Sequence, residues 1–309
     1  MPNEIIDMNS SGSRITQIGF IMQNNDSVGI AVRGIDWRID HCRFENSITP
    51  TNPGVHAYAY SYEEHPVGVV DHCEFFESRV IVYGSMALLA NNRWFEPLGL
   101  GTNNAVFVED CVFTRTHGNA IDANYGGKYI FRYNTVNDAY IEAHAVQGNN
   151  RSARSWEIYN NTINQVNYPM WVPIFLRGGT GVVFNNTIIG NWQNLGIAID
   201  YRRAFESFPV CGMADGSNPW DGNIEPSGWP GRDQIGRSTD QWLWTDANPY
   251  PTQTLDPAYC WNNIYQSGNV EFFVHNNCEN FLQEGRDFYN NQIKPGYTPY
   301  TYPHPLVTD

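Results

Sequence analysis

The chain has 309 residues, a formal net charge of −14 and two lysines, Lys128 and Lys294. That balance argues against nucleic acid as a partner, because binding to phosphates rests on Lys and Arg. The longest apolar stretch, "VIVYGSMALLA" from Val80, is too short to cross a bilayer, so no membrane span is expected. Hydrophobic residues make up 41%, enough for a sizeable core, while 10 Trp and 18 Tyr fit either an aromatic core or surfaces that handle flat ligands such as sugar rings. The opening "MPNEIIDMNSSGS" shows no secretory leader, yet few lysines beside much Asn, Gly, Tyr and Trp point to an extracellular or cell-surface setting.

In chain order, "SRITQIGFIMQNND" already reads as a coil with little before it, so a missing or very short N-terminal cap is expected. Two nonapeptides follow, "IDHCRFENS" at 39–47 and "VDHCEFFES" at 70–78, set 31 residues apart. Their frame returns in "ANNRW", "EDCVF", "RYNTV", "YNNTI", "FNNTI" and "YNNQI". The anchors are Cys42, Cys73, Asn92, Cys111, Asn134, Asn161, Asn186 and Asn291, spaced by 31, 19, 19, 23, 27 and 25 residues as far as Asn186. Short apolar runs such as "VGVV", "KYIF" and "GVVF" precede them, without helical periodicity. Such periods with short β segments define a solenoid.

The expected fold is therefore all-β: one single-stranded, right-handed parallel β-helix over residues 1–309. It carries a long loop-rich insertion at 204–258 and an extended tail at 294–309. Stacked coils place equivalent residues in ladders, and Asn suits both side-chain ladders and left-handed turns. Cys42, Cys73 and Cys111 would share a column with the Asn anchors. Asp40 and Asp71 would form a neighbouring column, with Glu109 nearly in line. The repeated Asp-His-Cys is then geometry used twice, not a duplicated catalytic triplet. The insertion holds Trp220, Trp229, Trp242 and Trp244, placed either to stack on sugars or to pack on the solenoid. One disulfide is expected among Cys211, Cys260 and Cys278, with the pair left open. The Pro/Tyr-rich tail is expected to lie along the solenoid and protect its last coils.

"DWRIDHC" resembles the "vWIDH" stretch of pectate lyases, which have this fold. Their "RxPxxR" motif is missing, as are the "GHG" and "RxK" motifs of the polygalacturonases; "THGN" at His117 is only a fragment. Neither enzyme's catalytic residues carry over. "SARSWEIYNNT", "GRDQIGR", "CWNN", "QEGRDFYNN" and "PGYTPYTYPHPL" are similar to a largely uncharacterised branch of secreted bacterial right-handed β-helix proteins. That likeness implies a fold and an extracellular setting, and no activity.

Chemistry is expected between residues 117 and 156 and just beyond. Counting from the anchors places Arg79, His117, Tyr140, Asn167 and Trp192 six residues on, and Tyr83, His144 and Trp171 ten on. From Arg115 to Arg203 eight Lys/Arg face five Asp/Glu, a local +3 in an acidic chain, which suggests an anionic ligand. For β-elimination on an acidic polysaccharide, His117 or His144 would be the base and Tyr140 the proton donor. Arg151, Arg154, Arg177 and Lys128 would grip carboxylates, with Trp171 and Trp192 beside them. Ca²⁺ is the candidate ion, held by Asp122, Asp138 and Glu142. For hydrolysis, Asp122 and Glu142 are the carboxyl pair. Asp200, next to two arginines, reads as an ion-pair residue. The other class weighed is a non-catalytic surface, adhesive or filament-forming β-helix that self-associates through its ends.

Overall fold

A computed structural model describes residues 3–23, 27–46, 52–59, 65–84, 98–115, 118–145, 152–200, 233–238, 254–275, 278–279 and 282–307. Three nine-stranded sheets run the length of a stack, and each turn of the chain contributes one strand to each in rotation. Pairing between coils is parallel throughout, apart from a terminal hairpin in the third sheet. This is the arrangement of a parallel β-helix. Among the described residues no helix is long and apolar enough to cross a membrane.

Sheet A comprises Asn3–Met8, Ser27–Val32, Pro53–Ala57, Arg79–Tyr83, Asn119–Asn124, Tyr140–Ala143, Ile174–Leu176, Ile197–Ile199 and Phe272–Val274. Sheet B runs from Arg14–Thr16 to Phe288–Asn290, and sheet C from Gly19–Met22 to Ile264–Tyr265 and its hairpin. Alternation along each strand sends one side chain inward and the next outward. Val80, Ile121, Ile141, Ile174, Ile197 and Phe272 accordingly form one buried row of sheet A. Phe20, Phe44, Phe75 and Phe113 form another from sheet C, their rings stacked at 4.9, 4.9 and 4.6 Å.

The repeated anchors are the turn between sheets B and C. The residue before each anchor takes the left-handed region: His41, His72, Asp110, Tyr133, Asn160, Asn185 and Asn262 have φ between 49° and 57°. The anchor side chain then points inward and accepts the backbone N–H of the anchor one coil earlier. Cys73 Sγ takes Cys42 N and Cys111 Sγ takes Cys73 N, both at 3.4 Å. Asn134, Asn161, Asn186 and Asn263 continue the ladder through Oδ1 at 2.9–3.2 Å. So the ladder ends on Asn263, not on Asn291, which is exposed and itself left-handed. Asn92 lies outside the described residues, and the strands leading to Cys73 and Cys111 pair directly, with no coil between them.

Asp40, Asp71 and Glu109 occupy one register on the outer face of sheet B. Arg38 clasps Asp71 with two hydrogen bonds, and buried Arg132 pairs with buried Glu109. The tail lies across this face, starting over the late coils and running back towards the early ones. Tyr297 packs by Phe184 and Trp261, Arg132 donates to the carbonyls of Tyr300 and Thr301, and Arg38 reaches the carbonyl of Leu306. Cys260 and Cys278 are free thiols in separate surroundings, which removes their pairing as the expected disulfide. Cys211 lies outside the described residues, as do Trp220, Trp229, Trp242 and Trp244.

Candidate functional site

The outer face of sheet A brings together most of the groups with chemistry. In strand Asn119–Asn124, Ile121 and Ala123 point into the core, so Asp122 points out; in Tyr140–Ala143, Ile141 and Ala143 do the same for Glu142. The pairing of Ile121 with Ile141 sets the two carboxyls side by side on adjacent strands. One register position on, the chain leaves the sheet with His144, then Arg177 in the following coil. One oxygen each of Asp122 and Glu142 and a ring nitrogen of His144 lie within 4.8 Å of one another.

Arg177 organises this cluster. Its Nη2 pairs with Glu142 Oε1 and lies 2.7 Å from His144 Nδ1. His144 Nδ1 is 3.3 Å from Asp122 Oδ2, while Asp122 Oδ1 has no hydrogen-bond partner among the described residues. Glu142 also accepts from Asn119 Nδ2 at 2.5 Å, and Arg79 Nη1 donates to Asn119 Oδ1 at 2.8 Å. Burial raises the pKa of Glu142, and the Asp122 charge raises it further, against the opposing pull of Arg177, His144 and Asn119. Burial, then Glu142 and Asp122, raise the Tyr140 phenol, so it stays protonated.

Sequence reasoning missed Asn119. A register shift between Asn119 and Ile121 sets two residues against one at Tyr140, a bulge that aims Asn119 at Glu142. No anchor spacing reports such an irregularity. Also missed were His56 and Tyr125, which join Tyr83 in a cluster of edge-on rings, His56–Tyr83 at 4.7 Å and Tyr83–Tyr125 at 4.4 Å. Trp171 stands in a second cluster on the far side of the carboxyls, 4.8 Å from Phe175 and 4.7 Å from His275.

Other expected site residues lie elsewhere. Lys128 is wholly buried and Arg154 is 3% exposed, so neither grips a ligand at the surface. Trp192 is buried in the core, its indole N–H on the carbonyl of Ile189. Asp138 is buried and accepts the backbone N–H groups of Val166 and Asn167, so it fastens a loop and is not part of an ion site. Asp200 is buried, with the Cys278 thiol donating to it at 3.2 Å. His117 and Arg151 lie outside the described residues. Of the basic middle, Arg115, Lys128, Arg132 and Arg154 are buried, while Arg202 and Arg203 also lie outside the described residues.

The donor set does not suit Ca²⁺. That ion takes six to eight oxygens, whereas this cluster offers two carboxylates and an imidazole. The Arg177 guanidinium already supplies the positive charge at two of those three groups.

Residues 98–211 match the family model described as right handed beta helix region. With the stacked parallel sheets, this makes the fold a right-handed parallel β-helix. The searches of curated proteins and of solved structures return no match.

Proposed function

We propose that the protein is an extracellular, glycan-active enzyme that hydrolyses glycosidic bonds at Asp122 and Glu142. The observation that carries this reading is the carboxyl pair itself: adjacent, outward-facing, with the proton affinity of Glu142 raised. Glu142 would protonate the glycosidic oxygen while Asp122 attacks the anomeric carbon, breaking the C–O bond and forming a glycosyl ester. Water, deprotonated by Glu142, would then release the sugar. The close spacing favours this retaining course, since inverting pairs stand about 6.5–9.5 Å apart to admit a water. Arg177 and Asn119 orient Glu142, and His144 flanks Asp122.

Elimination on a uronate polymer is less well supported. It needs free cations to neutralise the substrate carboxylate, and Arg177 is engaged by Glu142 beside a second carboxylate. The non-catalytic reading is favoured by one observation: Glu142 is buried and neutralised by Arg177, as in a structural ion pair.

The test is a digest of β-glucans, xylan, mannan, pectate and alginate, with and without Ca²⁺. Hydrolysis gives new reducing ends without the ultraviolet absorbance of unsaturated uronates. Asp122→Asn and Glu142→Gln should each slow it by about 10²–10⁴-fold. Absorbance would establish elimination instead. A folded protein silent on every polymer would favour the non-catalytic reading.

A further inference from the structure

We infer that the ligand of this face is a linear glycan of uncharged sugars, lying along the solenoid axis and held by aromatic rings on both sides of the carboxyl pair. This rests on the hydrolytic reading for its cleavage point and on independent geometry for the rest.

The rings flank the carboxyls along the sheet. His56 and Tyr83 stand on the two earlier coils, Tyr125 just past the Asp122 strand on the same coil, and Trp171, Phe175 and His275 on later ones. All six residues are half-buried, packed against neighbours without being sealed from the surface. From the strand of His56 to that preceding His275 there are six strand-to-strand steps, or about 29 Å at the usual spacing. That length accommodates several sugar rings end to end and cannot be used by a single one.

Charge decides the class of sugar. Aromatic faces bind the apolar faces of pyranose rings, whereas uronates call for paired guanidinium or ammonium groups. Among the described residues Arg177 is held by Glu142, and Arg115, Lys128, Arg132 and Arg154 of the basic middle are buried. Burial and the Arg79 charge lower the pKa of His56 to about 4, so that ring is neutral at ordinary pH. The chain as a whole, at −14, repels polyanions.

The experiment uses the Asp122→Asn, Glu142→Gln double variant, which binds without cleaving. Its probes are cellohexaose, xylohexaose, mannohexaose, laminarihexaose, their disaccharides and hexagalacturonate, followed by tryptophan fluorescence and calorimetry. One neutral hexaose should bind, its disaccharide at least tenfold more weakly, and hexagalacturonate weakest. Tyr83→Ala and Trp171→Ala should each lower hexaose affinity about tenfold, while Tyr83→Phe and Trp171→Phe retain it; unchanged circular dichroism and melting exclude misfolding. Preferential binding of hexagalacturonate, binding of no probe, or sensitivity to one cluster alone would overturn the inference. If the wild type binds a neutral hexaose without cleaving it, the hydrolytic reading falls and this inference stands. If it cleaves a glycan with no dependence on Tyr83 or Trp171, the reverse holds.

Discussion

Each residue of the repeated Asp-His-Cys has a distinct geometric task. The aspartate binds arginines on the outer face of sheet B, the histidine takes the left-handed turn, and the cysteine points inward, where Cys73 Sγ receives the Cys42 N–H. Later coils give the last task to Asn, whose amide donates to a carbonyl at 2.9 Å where the Cys73 and Cys111 thiols donate at 3.6 Å. Asn161 accepts from Asn134 N and donates to Asn186 Oδ1 and the Phe131 carbonyl. Asn161→Ala orphans these buried groups and should cost about 2–3 kcal/mol in urea unfolding. Asn161→Cys should cost less, since a thiol fills this place in three coils. Equal losses would mean the ladder bonds contribute little. The ladder was legible because a repeated side chain at a repeated spacing signals a column. Its end was misread as Asn291 because the long insertion hides the spacing that leads to Asn263.

At the scale of elements, the tail depends on a buried acid. Burial pushes Glu157 up to about 7 from 4.5, although Tyr297 Oη and Gly101 N donate to it and Arg132 stands nearby. A carboxyl whose folded pKa is raised binds more protons folded than unfolded. Its contribution is full below pH 4.5 and is lost as pH rises through about 7. Amide exchange in residues 294–307 should therefore be slower at pH 5 than at pH 8, after correction for intrinsic rates. Glu157→Gln should flatten that dependence; an unchanged difference would assign it elsewhere. That the tail lies on the solenoid was legible in its Pro/Tyr composition. Its course was not, because it depends on Arg38, Glu109, Arg132 and Glu157 all facing outward from sheet B. Asn119 escaped for a related reason: a bulge changes where a side chain points without leaving a motif.

Across the whole molecule, one solenoid offers three outer faces with different uses. Sheet B is covered by the tail, sheet C presents exposed Ile21, Phe76, Val112 and Ile189, and sheet A carries the carboxyls between two sets of rings. Net charge read along the chain pointed to an anionic ligand; burial of Arg115, Lys128, Arg132 and Arg154 argues against it, since a covered charge is not presented to a ligand. With Arg177 as the cation of the site, chelation by EDTA should leave both melting temperature and glycan cleavage unchanged, and a loss restored by one metal would place an ion there. The central claim is that two adjacent carboxyls divide into an acid and a nucleophile. A carbon-13 NMR titration of labelled glutamates, assigned with Glu142→Gln, tests it without any substrate. Glu142 should titrate above the ordinary glutamate range and fall when Asp122→Asn removes the neighbouring charge. A Glu142 that titrates at or below that range, indifferent to Asp122, would mark a structural ion pair with Arg177 and contradict an enzymatic role for this face.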